Sequence, residues 1–158
     1  MIQEKEERSL LIIKPDAIQR SLVGEIVTRF ERKGLKIIAM KMIKLDAAIV
    51  EEHYAHIKDK PFFPSIRNFM ISTPVVVMVV SGVKVVDAIR IIVGPTKSFE
   101  ALGGTIRGDY ALSMQSNIVH ASDSREAAVD EINRFFKPEE IMDYEKISTM
   151  FLYSDDLM

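Results

Sequence analysis

Thr73-Pro74-Val75-Val76-Val77-Met78-Val79-Val80-Ser81 contains the longest strictly apolar run in the chain, Val75 to Val80. A short apolar run without polar alternation predicts a central strand buried on both faces. It is far too short for the 18 or more residues that span a bilayer. Directly after it, Val83 to Val93 reads as a helix that is apolar nearly all round. Its polar residues Lys84, Asp87 and Arg90 keep to one i, i+3, i+6 stripe, and Gly94 ends it. Upstream, Arg8 to Lys14 reads as a second buried strand, stopped by Pro15, which has no ladder donor.

The other elements follow from the same signals. Asp16, three residues before Gln19, predicts an N-cap box. The helix it opens carries Ile18, Leu22, Ile26 and Phe30 at four-residue steps, with Val23 and Val27 beside them, and closes at Gly34. Leu35 to Leu45 predicts a strand with Ile38, Met40 and Met42 on one face and a bulge or bend near Ile43. Asp46 caps a short helix through His56, and Lys58-Asp59-Lys60 turns the chain into Pro61-Phe62-Phe63-Pro64. About 94–116 is a long loop holding four of the seven glycines, and loops of that length are functional or disordered. Asn117 to His120 reads as an edge strand. Asp123 and Glu126 form a capping box for a helix with Ala128, Ile132, Phe135 and Phe136 on its inner face. The tail from Lys137 is expected to be mostly irregular and to wrap the surface or a neighbouring subunit. The order β-α-β-α-β-α-loop-β-α suits the α+β class, a split βαβ or ferredoxin-like sandwich with a four-stranded antiparallel sheet covered by helices.

At 158 residues the chain predicts one domain, 1–158, able to bury about 70% of its unfolded surface. With no cysteine, disulfides, thiolate metal sites and cysteine nucleophiles are excluded. A net charge of −2 gives no support to nucleic-acid coating or membrane-surface binding. The densely charged start, Met1 to Arg8, has no apolar run behind a basic segment, so the expected location is cytoplasmic.

Common nucleotide motifs fail. Gly103 and Gly108 have P-loop spacing, but Asp109 stands where the lysine must be. His53 and His56 share a short helix without a third ligand, which reads as a solvated or interface face rather than a metal site. His120 differs, because it ends a strand just before the helix start at Ala121-Ser122-Asp123-Ser124, where free N–H groups favour a phosphoryl group. Glu131, at the edge of the last helix's apolar stripe, could fix the His120 tautomer and free the other ring nitrogen as a nucleophile. Without that partner His120 reads as a satisfied core histidine. Lys14, Arg90 and Arg107 lie at the edges of buried elements and together suggest an anion clamp. Singly they read as a strand-end lysine, a helix-dipole partner and a loop charge. Phe62 and Phe63 read as a core plug, or as one exposed ring able to receive a base.

Four stretches carry a family. Leu11-Ile12-Ile13-Lys14-Pro15-Asp16-Ala17, Pro61-Phe62-Phe63, Gly104-Thr105-Ile106-Arg107-Gly108-Asp109 and Asn117-Ile118-Val119-His120-Ala121-Ser122-Asp123-Ser124 resemble nucleoside diphosphate kinase. The match runs collinearly from about Arg8 to Tyr144, which sets a core of about 8–144 and a tail of 145–158. Four motifs in order with the right gaps are highly specific. The resemblance implies ping-pong transfer of the γ-phosphoryl from a nucleoside triphosphate, usually ATP, to any nucleoside diphosphate. His120 matches the phosphorylated histidine, Glu131 the carboxylate that orients it, and Ser122 the serine supporting that carboxylate. Arg90, Thr96 and Arg107 match phosphate-binding residues, while Lys14 and Asn117 match contacts to the ribose, Lys14 reaching also toward the phosphates. Phe62 matches the base-stacking ring and Tyr54 the tyrosine near the transferred group.

Mg²⁺ is implied as a companion of the nucleotide phosphates, with no dedicated protein metal ligand. The family also implies a homo-oligomer, a hexamer in preference to a tetramer, while the net charge and the short apolar runs lead us to expect no specific nucleic acid or membrane partner. Ser98 and Gly103 stand where many members have proline, and Ala121 where many have glycine. The first two predict a looser loop and a weaker oligomer. The rival class is a ferredoxin-like nucleotide- or nucleic-acid-binding module without catalysis.

Overall fold

The computed structural model describes residues 6–154; the charged start 1–5 and the end of the tail, 155–158, lie outside the described residues. The valine run becomes β3 (Val75–Val83), flanked by β1 (Glu6–Ile13) and β2 (Lys36–Ile43). The edge strand β4 (Val119–Ala121) pairs with the far side of β1, giving the order β2-β3-β1-β4 with every pairing antiparallel. This is the expected ferredoxin-like sheet, and both of its faces are covered.

Side chains alternate between two cores. Leu11, Ile13, Val76, Met78 and Val80 point to one face, against α1 (Pro15–Gln19), α2 (Val23–Arg32) and α5 (Val85–Val93). Leu10, Ile12, Val75, Val77 and Val79 point to the other, against α3 (Ala47–His53), α4 (Phe63–Met70) and α7 (Arg125–Phe135). Burial on both faces is what removes the polar alternation from β1 and β3. Among the described residues no helix is long and apolar enough to cross a membrane.

Several local expectations are corrected. The helix expected from Asp16 to Gly34 is two helices, α1 and α2, because Ser21 turns left-handed at φ 56. The heptad-like spacing hides the break, since Ile18 and Leu22 still pack beside Ile26 and Phe30. Asp16 does not cap α1; its carboxylate accepts a hydrogen bond from the Ile118 N–H instead. The bulge in β2 falls at Ile38, between Ile37 and Ala39, so Ile38 and Ala39 are both buried in one core while Met40 and Met42 turn out to solvent. The helix capped by Asp46 stops at His53 and continues only as a 3₁₀ turn over Ala55–Ile57. Helix α4 was not foreseen: Pro64 sits in its first turn, where a missing N–H costs nothing. Ser124, not Asp123, caps α7 by accepting from the Ala127 N–H.

The long loop 94–116 holds a 3₁₀ turn at Ser98–Glu100 and a helix α6 (Ile106–Tyr110) capped by the Thr105 hydroxyl. Gly108 is required there, because a Cβ would lie 2.0 Å from the Leu102 carbonyl oxygen. Ser98 is buried and its hydroxyl donates to the Ser113 carbonyl at 2.8 Å, a tie that a proline could not make. The tail folds back on its own chain. Tyr144 donates to the Ile37 carbonyl at 2.8 Å, the Tyr153 hydroxyl accepts from the Val83 N–H, and Leu152 of α8 (Thr149–Leu152) covers Gly34.

Candidate active site

Where β1 ends, Pro15 forces Lys14 into an extended conformation, and Lys14 donates its own N–H to the Ile118 carbonyl at 2.9 Å. That bond joins the end of β1 to a tight turn. Val119 donates to the Asn117 carbonyl at 2.9 Å, closing a γ-turn whose central residue, Ile118, has φ 76. A β-branched residue in this region stores about 1–3 kcal/mol of strain, and such strain persists only where surrounding contacts impose it. Strand β4 starts straight after the turn, with His120 opposite Ile12 in the register.

The His120 ring is held from three sides. Its Nε2 lies 3.1 Å from each carboxylate oxygen of Glu131 on α7. Ser122 accepts from the Leu10 N–H at 3.1 Å and donates to Glu131 Oε2 at 2.7 Å, fixing the carboxylate in turn. Burial alone would raise the Glu131 carboxyl, but the hydrogen bond and charge of His120, with the Ser122 hydroxyl, hold it below the usual carboxylate range. The edge of His53 packs against the His120 ring at 4.5 Å between centroids, with Tyr54 at 6.5 Å. With Nε2 engaged by Glu131, Nδ1 is the free nitrogen.

His120 opens into a chamber of about 500 Å³. Its walls include Lys14, Tyr54, Phe62, Arg90, Thr96, Arg107 and Asn117, so eight of the ten expected site residues meet in one cavity. Glu131 and Ser122 stand behind the histidine rather than in the wall. Lys14 is 8% exposed; its Nζ donates to Asn117 Oδ1 at 2.6 Å and to the Gln115 carbonyl at 3.3 Å. Burial, then the charge of Arg107, lowers its pKa to about 8, against a smaller opposing pull from Asp16. Arg107 donates to three backbone carbonyls, those of Asn117 (3.2 Å), Gly94 (3.0 Å) and Val119 (2.7 Å). Burial, then Arg90, lowers its pKa to about 10, so it remains a cation at neutral pH. Burial pushes the Tyr54 hydroxyl well above its ordinary value, so it stays a neutral hydroxyl. Phe62 is 54% exposed at the mouth while Phe63 is 4% exposed in the core, which separates two rings that composition and spacing left alike and the family resemblance alone had told apart.

Some of this was not foreseen. Asp123 lines the chamber and pairs with Arg90; read as a helix cap, it gave no signal of that role. His53, expected on a solvated or interface face, is buried within the chain itself. Burial, then the neighbouring His120, depresses its pKa to about 3, and Arg134 donates to its Nδ1 at 3.3 Å. His53, His120 and Glu131 are close enough to hold an ion. However, Arg134 already occupies the His53 Nδ1 lone pair and Glu131 the His120 Nε2, so the trio reads as a packed ring pair with its carboxylate.

Fold and chamber together define a phosphotransferase of the nucleotide-using class. The family model for nucleoside diphosphate kinase matches residues 7–141. The chain is 51% identical over 150 residues to a nucleoside diphosphate kinase of Parabacteroides distasonis, covering 95% of this chain and 98% of that one. With its namesake from Pyrococcus horikoshii it is 49% identical over 148 residues, covering 92% and 94%. A halophilic nucleoside diphosphate kinase from Halobacterium salinarum, solved in complex with CDP, superposes with a TM-score of 0.92 at 39% identity, covering 94% of this chain and 99% of that one. The chain belongs to the nucleoside diphosphate kinase family, and it is an enzyme that moves phosphoryl groups between nucleotides.

Proposed function

We propose that His120 Nδ1 carries the phosphoryl group between two nucleotides that visit the same chamber in turn. The observation that carries this reading is the Nε2 contact to both Glu131 oxygens, which leaves Nδ1 as the only free lone pair of the ring, beside Lys14, Arg90 and Arg107. In the first half-reaction Nδ1 attacks the γ-phosphorus of a triphosphate, usually ATP. The bond from γ-phosphorus to its bridging oxygen breaks, and the diphosphate departs with that electron pair. In the second, a terminal oxygen of an incoming diphosphate takes the phosphoryl back, and Nδ1 recovers its lone pair. While Nδ1 is phosphorylated and Nε2 keeps its proton, the ring is positive, and the Glu131 carboxylate stabilises it.

The other roles follow from chemistry. Arg90, Arg107 and Thr96 hold the phosphates, with Lys14 bridging from phosphates to ribose and Asn117 binding the ribose beside it. Tyr54 donates its hydroxyl near the transferred group, and Ser122 keeps Glu131 in line. Phe62 offers a stacking face at the mouth, which every base can use. The chamber wall has one carboxylate, Asp123, already paired with Arg90. That fits Mg²⁺ arriving on the nucleotide, where it screens phosphate charge. We read the functional unit as one domain, core 8–144 with tail 145–158, acting in the cytoplasm. Exposed Ile91, Phe99, Leu102 and Leu112, the last 91% exposed, support self-association; the preference for a hexamer over a tetramer is carried over from the family resemblance alone.

The test is direct. Incubation with ATP labelled on the γ-phosphate and no acceptor should yield one acid-labile, base-stable phosphoryl group per chain, on His120, discharged by any nucleoside diphosphate. A stable label on serine, or none, overturns the reading.

Two further outcomes are expected. Phe62→Ala weakens all nucleotides together by about 1–3 kcal/mol, the worth of one stacked base, as read by competition binding across four bases. The second concerns pH. Lys14 is a cation below its pKa of about 8 and neutral above it, so kcat/KM for the triphosphate falls as pH rises through about 8. In Lys14→Arg that limb moves to higher pH, at lower overall activity because the guanidinium fits the site poorly.

A further inference from the structure

Asp16 is absent from the chamber wall, yet it is tied to the most strained point of the site. Strand β4 begins only at Val119, so the Ile118 N–H has no partner in the sheet ladder. Asp16 Oδ2 accepts it at 3.0 Å across 102 positions of sequence. The other carboxylate oxygen, Oδ1, is buried without a hydrogen-bond partner. Leaving a buried oxygen unpaired is a cost, and here it accompanies a single contact to a left-handed isoleucine. Ile118 itself is fully buried in the core, so glycine could relieve the turn only by opening a hole there. The Ile118 N–H therefore takes its acceptor from outside the turn, and that contact helps hold the strained residue in place.

That turn sets two groups of the site. Asn117, at its first corner, receives Lys14 Nζ at 2.6 Å, and His120 follows its last corner by one residue. We propose that Asp16 is a positioning residue for the nucleophile: by accepting the Ile118 N–H it locks the γ-turn and so fixes where β4 starts and where His120 faces. The proposal rests on the reading that His120 is phosphorylated, and label on wild-type His120 tests that reading separately.

The experiment compares wild type, Asp16→Ala and Asp16→Asn by rapid-quench labelling from γ-labelled ATP, with displacement of a fluorescent nucleotide as the binding readout. Asp16→Ala is expected to form phosphoenzyme about 100-fold more slowly at saturating ATP, the scale of an ångström-sized misplacement, with a smaller loss of nucleotide affinity because Asn117 and its Lys14 contact share the turn. Asp16→Asn keeps an oxygen facing the N–H while it loses the charge and puts an amide NH2 in place of the partnerless Oδ1, so it restores most of the rate. Wild-type labelling by Asp16→Ala overturns the proposal. So does an Asp16→Asn rate as low as the alanine rate, which would make the charge, not the acceptor, responsible. Should Asp16→Ala fail to fold, Asp16→Asn decides alone: a rate near wild type supports the acceptor role, and a loss of about 100-fold overturns it.

Discussion

His120→Ala is expected to form no phosphoenzyme and to lose at least about 10⁴-fold in turnover, the scale seen when a covalent nucleophile is deleted. Nucleotide binding should persist, because the stacking ring and the cations come from other elements: Phe62 precedes α4, Arg90 lies in the last turn of α5 and Arg107 in α6. Glu131 keeps one tie, the Ser122 hydroxyl at 2.7 Å, so the fold should survive the loss of the ring. Rapid-quench labelling and equilibrium dialysis read the two properties separately. Residual steady turnover above about one hundredth of wild type would place the covalent step elsewhere.

Arg107→Ala should damage both activity and stability. Its guanidinium satisfies the carbonyls of Gly94, Asn117 and Val119, which fastens the end of α5 and both corners of the γ-turn to α6. Removing it takes this donor from the Gly94 and Val119 carbonyls, at about 1–3 kcal/mol for each one that water cannot reach, while Asn117 keeps the Val119 N–H. For a chain of this size each kcal/mol lowers the melting temperature by roughly 2–4 °C, so a fall of more than about 5 °C is expected by calorimetry. Turnover should drop by about 10²–10³ as well, because a preorganised cation facing the phosphates is lost. Arg107→Lys should rescue little, since one ammonium cannot span three carbonyls held in a fan. A variant with normal melting and low activity would show that the clamp contributes nothing to the fold.

Much of this molecule could be read from its residues, and the failures share a cause. The two-faced sheet announced itself through Val75–Val80, because burial on both sides leaves its mark on every residue of the strand. Helix α7 was visible through Ala128, Ile132 and Phe135, whose spacing matches one buried face. What stayed hidden depends on contacts between residues far apart in the chain. Asp16 looked like a local cap, and only the fold carries it to Ile118. Asp123 looked like a cap as well, yet it faces Arg90. The break at Ser21 was masked because the apolar spacing of one long helix survives across two short ones. The chemistry of the site was more legible than its supports: Lys14, Arg90 and His120 stood out as polar groups in or beside apolar elements, and Arg107 as a cation in a glycine-rich loop. Tyr54, Thr96, Asn117 and Ser122 carry no such local contrast and became visible through the family resemblance alone.

A single chamber of about 500 Å³ opens beside His120. On the proposed mechanism, donor and acceptor must therefore take turns in one seat, and whichever species is abundant crowds out the other. Free diphosphate should thus hinder loading of the unmodified enzyme, and surplus triphosphate should hinder discharge of the loaded one. Flux would then follow the ratio of the two pools rather than either concentration, making the enzyme an equaliser of phosphorylation state across bases.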